Sequence, residues 1–183
     1  YSPYNIGRSI IPNNCKGVIY LVRNPADLAI SLSYFNSWDF EKSVDFLLDK
    51  NACLNETPKQ VQQYLGSWEV HTQSWTTQDK VPMLVIKYED LLDEPIENFR
   101  KIKNFLNIKV SENELINIIN TIKFENLKKA EIQTGYFNER PKTCKYFFRS
   151  GEYGQGKLLL SNKQLKKLKI GLKNSINKFN YKV

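Results

Sequence analysis

The sequence holds one histidine and three cysteines in 183 residues, and no apolar run approaches the roughly 20 residues that cross a bilayer. A single histidine, His71, excludes a multi-histidine metal centre. Cys15, Cys53 and Cys144 are odd in number, far apart and form no C-x-x-C pair. That pattern argues against a disulfide scaffold and a cysteine-based zinc site, and for the reduced thiols of a cytoplasmic protein. The opening Tyr1-Ser2-Pro3-Tyr4-Asn5 carries neither a basic flank nor an apolar stretch, so it does not read as a signal peptide. The first residue is not Met, and the expectation is a natural chain that begins earlier.

What is present is globular. Charged residues make up 25% and apolar residues 41%, values that suit one domain, residues 1–183, with a core of its own and not a disordered chain. The net charge of +8 is unevenly placed. Residues 141–183 hold 11 Lys and Arg against the single acid Glu152, whereas residues 1–140 are slightly acidic. A basic segment of this kind suits nucleic acid, an anionic surface or a phosphate-bearing ligand. In Ser161–Phe179, however, Leu165, Leu168, Leu172, Ile176 and Phe179 recur at helical spacing with lysines between them. Most of these lysines therefore read as the solvated face of a surface helix, and few aromatics interleave with them to stack on bases.

Gly17–Val22 is a β-branched apolar run without alternation, which predicts a strand buried on both faces. It ends in Arg23-Asn24-Pro25-Ala26-Asp27, a helix start with a cap residue, a first-position proline and a first-turn acid, and the helix runs to Asn36. Further helices are predicted at Phe40–Leu48, Pro58–Trp75 and Ile96–Leu106, and another opens at the Ser111–Glu114 capping box and runs through Ile119. A second strand is predicted at Pro82–Tyr88, with Glu89 and Asp90 entering a turn region that closes at Pro95. The strand–helix–strand order gives an α/β domain with a parallel sheet and flanking helices. Residues 132–157 form the one long irregular stretch, and loops of that length are often functional.

Two segments carry candidate chemistry. Arg23, at the carboxyl end of a parallel strand beside a capped helix, offers a guanidinium fork together with the free N–H groups and dipole of a helix start, a good anion pocket. Ser31 adds a hydroxyl two turns along the same helix. The segment from Phe148 to Lys157 combines Gly151, Gly154 and Gly156 with Arg149 and Lys157, so backbone and charge can approach a phosphate together. Its spacing is not that of a Walker A motif. His71, flanked on its helix by Trp68 and Trp75, reads as structural.

Together these segments resemble the cytosolic-type sulfotransferases that use 3′-phosphoadenosine 5′-phosphosulfate (PAPS). Arg23 to Asp27 with Ser31 is similar to the family's 3′-phosphate-binding strand–helix motif, and Arg149-Ser150-Gly151 with Gly154 and Lys157 to its R-x-G-x-x-G loop. Gly66-Ser67-Trp68 with His71 and Trp75, Tyr88-Glu89-Asp90 with Pro95, and Phe124 with its lysine-rich continuation resemble three further family segments in the same order. The resemblance implies a P-loop-NTPase-like sulfotransferase fold. It also implies transfer of a sulfuryl group from PAPS to an acceptor hydroxyl or amine, a small-molecule acceptor, and no metal, nucleic acid or membrane partner. Arg23 and Ser31 would hold the 3′-phosphate, Arg149, Ser150 and Gly151 would close over it, and Tyr88 and Phe124 would line the adenine.

The sequence departs from the family at several positions. Ser150 stands where the family often has lysine, Lys123 where it often has serine, and Gly156 where it commonly has tryptophan. No dimerisation signature is recognisable in Lys157–Lys167, so no oligomeric state is implied. The family's first strand and its K-S-G-T-T-W-like loop have no counterpart, and Tyr1 falls where the family places a catalytic histidine. A tyrosine is a poor base near neutral pH, since its ordinary pKa is about 10. The expectation is the C-terminal portion of a longer single domain that supplies the 3′-phosphate clamp, with no catalytic residue assigned. The competing readings are a non-catalytic module that binds PAPS or its product and a basic binder of nucleic acid or anionic surfaces.

Overall fold

The computed structural model describes residues 4–5, 8–9, 11, 14–56, 61–135 and 144–183. Tyr1, Ser2 and Pro3, and with them the residue aligned to the family's histidine, lie outside these residues. Two short strands, β1 (Tyr4–Asn5) and β2 (Arg8–Ser9), pair antiparallel at the start. The apolar run then forms β3 (Val18–Val22) and passes into α1 (Pro25–Asn36). The helix starts where its sequence dictates: Asn24 Oδ1 accepts the Ala26 N–H at 2.9 Å and Pro25 takes the first helical position. Next comes α2 (Phe40–Leu48), capped by the Asp39 carboxylate on the Lys42 N–H at 2.7 Å.

The helix expected from Pro58 is shorter than its periodicity suggested. Residues 57–60 lie outside the described residues, and β4 (Cys53–Leu54) pairs antiparallel with β5 (Gln63–Tyr64) before α3 (Trp68–Thr76) begins. The break falls at Gly66, whose φ of +67° is left-handed, followed by Ser67 as the true cap on the Val70 N–H. The Leu65 and Gly66 N–H groups both donate to the Ala52 carbonyl, which holds this stretch as a turn.

Strand β6 (Met83–Lys87) lies parallel to β3 in the register Val18↔Met83 through Val22↔Lys87. The region expected as a turn after it is a helix, α4 (Tyr88–Asp93), followed at once by α5 (Pro95–Phe105). Glu89 and Asp90 are acids in the first turn of α4, which favours its start. The buried Asn98 amide donates to the Asp90 and Glu94 carbonyls at 2.8 and 2.9 Å, so the end of α4 is satisfied without a loop. Helices α6 (Glu112–Thr121) and α7 (Phe124–Thr134) follow, the first with the expected Ser111–Glu114 capping box. Beyond residues 136–143, which lie outside the described residues, come α8 (Gln155–Leu159), α9 (Asn162–Gly171) and α10 (Lys173–Lys178). The single surface helix expected over Ser161–Phe179 is thus two, meeting at Leu172.

The core forms where these elements meet. Val22, Ala29, Ile30, Val44, Leu47 and Trp68 pack with Leu168, Leu172, Ile176 and Phe179, so the last quarter supplies core on one side and lysines on the other. The expectation that β3 is buried on both faces is corrected. Val22 is buried, but Ile19 and Leu21 are 38% and 52% exposed, and Val85 on β6 is 39% exposed. Among the described residues this sheet has two strands, and the helices cover only part of each face. No helix among the described residues is long and apolar enough to cross a membrane.

Candidate functional site

At the carboxyl end of β3 the chain leaves the sheet at Arg23 and enters α1 at Pro25, which opens a cleft between α1, α4, α7 and the 144–154 stretch. The cleft has a volume of about 290 Å³, near the lower end of the range for small-ligand pockets. Arg23, Ser31, Tyr88, Phe124, Arg149, Ser150 and Gly151 all line it, together with Tyr34, Phe35, Cys144 and Phe148. Residues separated by up to 129 positions in sequence, from Arg23 to Glu152, therefore share one space. A second hollow, of about 530 Å³, adjoins it through Phe124 and Ser150 and carries Lys128 and Lys129.

Arg23 is held from two sides. Its guanidinium lies 4.4 Å from the centroid of the Tyr88 ring, and Nη2 donates to the Glu152 carbonyl at 3.3 Å. Its Nε is buried and, among the described residues, is the one buried side-chain nitrogen or oxygen without a hydrogen-bond partner. A buried guanidinium donor in that state has its capacity unspent and is ready for an anion. Across the cleft the Arg149 guanidinium stacks 4.2 Å from the centroid of Tyr34 and donates to the Gln155 side chain. Two arginines thus enter one small cleft with aromatic rings behind both, an arrangement suited to a flat base and a phosphate.

The glycines of the loop are there for close approach. Gly151 has φ of +66°, and any side chain on it would overlap the Phe124 ring. Gly156, in place of the family's tryptophan, packs on the first turn of α1: a Cβ there would stand 2.6 Å from the Ala26 Cβ. The departure from the family pattern is a packing requirement of this chain.

Neighbouring polar groups brace the junction. The Glu89 carboxylate accepts the Asn24 N–H at 2.8 Å and the Tyr181 hydroxyl at 3.1 Å, which ties the strand end to α4 and to the C-terminal segment. Burial, and then the charge of Glu89, hold the Tyr181 hydroxyl protonated well above its ordinary range. The Tyr153 hydroxyl donates to Asp93 at 2.7 Å, and that hydrogen bond raises its pKa. Glu89 and Asp90 lie on a helix and not in a turn region, and Glu89 is a brace for the junction. His71 lines no part of this cleft: its Nδ1 is 2.8 Å from the Tyr20 hydroxyl, and Trp75 also stacks on Tyr20. Trp68 is in the core against Phe179 and Tyr181, while Tyr64 is exposed.

Sequence reasoning assigned no contact in this site to four residues. Tyr34 and Gln155 contact Arg149, and two buried carboxylates, Asp27 and Glu131, accept N–H groups of the loop. Only Asp27 was marked in the sequence, as a first-turn acid; nothing in the local pattern around Glu131 signals its partners 16 and 17 residues away.

The family model described as the sulfotransferase domain matches residues 1–179. The chain belongs to the sulfotransferase family. It is 28% identical over 184 aligned residues to the flavonol sulfotransferase-like protein of Flaveria bidentis, covering 91% of this chain and 56% of that one. It is 30% identical over 161 residues to cytosolic sulfotransferase 7 of Arabidopsis thaliana, covering 82% and 48%. The crystal structure of mouse sulfotransferase SULT7A1 complexed with PAP superposes with a TM-score of 0.65 at 25% identity, covering 89% of this chain and 59% of that one. The α/β architecture with a parallel sheet and flanking helices is therefore the sulfotransferase fold. This sulfotransferase chain spans about half the length of the curated relatives it matches.

Proposed function

We propose that the chain forms the 3′-phosphate clamp of a PAPS-dependent sulfotransferase, an enzyme that moves a sulfuryl group from PAPS to an acceptor hydroxyl or amine. The observation that carries this reading is the convergence of Arg23, with its partnerless buried Nε, and Arg149 on one aromatic-walled cleft. The residues fit the nucleotide: two guanidiniums for a doubly charged phosphate, the Ser31 and Ser150 hydroxyls beside them, and Tyr88 and Phe124 as flat apolar surfaces for adenine. PAPS, when bound, supplies the transferable sulfuryl group. Arg23 and Arg149 anchor its 3′-phosphate, and Gly151 lets the backbone close over it. Holding the nucleotide by a group remote from the reacting bond fixes its orientation, and orientation is a large share of the rate advantage in such transfers.

The reading gives this chain the clamp and assigns it no catalytic base and no group on the 5′ side. The 183 residues are taken as the C-terminal portion of a single sulfotransferase domain. A cytoplasmic setting belongs to the same proposal, in keeping with Cys15, Cys53 and Cys144 being free thiols and with the matched cytosolic relative. The test is a calorimetric titration with adenosine 3′,5′-bisphosphate and, as control, 5′-AMP. The expected result is at least about tenfold tighter binding of the bisphosphate, the worth of one charge-assisted contact, abolished by Arg23→Ala. Equal affinity for the two nucleotides would overturn the reading. Binding that instead collapses with salt regardless of the 3′-phosphate would favour a basic polyanion surface.

A further inference from the structure

The loop that brings Arg149 to the cleft is fastened at both ends by carboxylates that belong to other elements. Glu131, 4% exposed on α7, accepts the Phe147 N–H at 2.6 Å and the Phe148 N–H at 3.0 Å. Asp27, 3% exposed on the first turn of α1, accepts the Gly154 N–H at 2.7 Å through one oxygen and the Gly156 N–H at 2.6 Å through the other. Between the two anchors lie Arg149, Ser150 and Gly151, the three loop residues of the clamp. Each anchor also sits on a helix that carries another wall of the cleft: Asp27 four residues after Arg23, and Glu131 seven residues after Phe124.

Burying a carboxylate costs several kcal/mol unless its oxygens are satisfied, and hydrogen bonds to an ionised acceptor are about twice as strong as neutral ones. Two such groups spent on four backbone N–H groups of one loop exceed what closing an ordinary surface turn requires. Their placement sets two separations, that of Arg149 from Arg23 and that of Gly151 from Phe124. The first matters to an anion gripped by both guanidiniums, and the second keeps Gly151 packed against the Phe124 ring.

Resting on the proposed nucleotide reading, we infer that Asp27 and Glu131 are positioning residues for the 3′-phosphate: they hold the loop at the spacing at which Arg149 and Arg23 grip one phosphate together. Neither touches the ligand. The sign of their effect distinguishes this role from simple electrostatics. A carboxylate near an anion site repels the anion, so its neutralisation should tighten phosphate binding if charge were all that mattered. A positioning carboxylate gives the opposite result, because an amide keeps only one acceptor oxygen and releases one of the two N–H groups.

The experiment titrates the full chain and its Asp27→Asn and Glu131→Gln variants with adenosine 3′,5′-bisphosphate and with 5′-AMP. The readout is the ratio of the two dissociation constants. A loss of folded protein weakens both nucleotides alike and leaves the ratio unmoved. The expected result is a ratio that falls about tenfold in each variant, with 5′-AMP affinity changed by less than about threefold. A wild-type preference that both variants keep or increase overturns the inference and leaves the functional reading standing. A wild-type chain without preference overturns the reading, and the inference with it. Independently of any variant, amide hydrogen exchange in the unmutated chain should show Phe147, Phe148, Gly154 and Gly156 protected; rapid exchange at all four would refute the fastening itself.

Discussion

The two halves of the cleft are built in opposite ways. The strand-to-helix junction at Arg23 is local: Asn24 caps α1, Pro25 fixes its first turn, and Arg23 follows directly from the end of β3. The 144–154 stretch has no regular structure of its own and takes its shape from distant groups: Glu131, Asp27, the Asp93 carboxylate on Tyr153, and Arg23 on the Glu152 carbonyl. The helix start of one half is written in adjacent residues, with Glu89 and the Lys182 carbonyl adding distant bonds to Asn24, whereas the other half is held by contacts that span 16 to 129 positions. In folding stability the junction should therefore tolerate single changes better than the loop, because a local motif keeps most of its bonds when one is lost while a fastened loop depends on each anchor.

The largest effect should come from Gly156→Ala. Its new methyl would press on the backbone and Cβ of Ala26, which cannot turn aside as a flexible side chain can, so a loss of about 2–3 kcal/mol is expected in denaturant unfolding. Gly154→Ala should cost less, about 1–2 kcal/mol, since nothing lies within 4 Å and only its φ of +85° resists a side chain. At the junction, Asn24→Ala removes the cap on the Ala26 N–H and the bond to the Lys182 carbonyl, and about 1 kcal/mol is expected. If Asn24→Ala proved more damaging than Gly156→Ala, the contrast between the two halves would be wrong.

The smallest effect should lie outside both halves, at the exposed link between α2 and α9. Hydrogen bonds from Lys167 and then Gln164 hold the Glu41 carboxyl below its usual range. A lowered folded-state pKa stabilises above the unfolded value and is lost as pH falls through the folded one. Unfolding midpoints of the wild type and Glu41→Gln should therefore differ slightly at neutral pH and converge in acid, with nucleotide preference unchanged throughout.

Legibility in the sequence followed the same division. The start and end of α1, the bounds of α2 and the Ser111 capping box were readable because caps and apolar spacing act within a few residues. Arg23, Ser31, Arg149 and Gly151 stood out from local chemistry, but Tyr88, Phe124 and Ser150 could be added, and the seven proposed clamp residues joined into one site, only through the family resemblance. The misreadings share a cause. At 58–67 the apolar spacing suggested helix, but Gly66 in a left-handed conformation and the pairing of β4 with β5 overrode it. At Tyr88–Asp93 the acids and Pro95 suggested a turn, but the buried Asn98 amide satisfied the helix end from the next element. The exposure of Ile19 and Leu21 was hidden because an apolar run does not say how many strands or helices will cover it. Glu131 was invisible for the same reason as the loop it holds: its meaning lies in the amides of Phe147 and Phe148.

A crystal structure of the chain grown with adenosine 3′,5′-bisphosphate tests the central claim most directly. The account predicts the 3′-phosphate between Arg23 and Arg149, within hydrogen-bond reach of Arg23 Nε, with the adenine between Tyr88 and Phe124. A nucleotide seated instead on the lysines of α9 and α10, or bound with its 3′-phosphate turned away from both arginines, would contradict it.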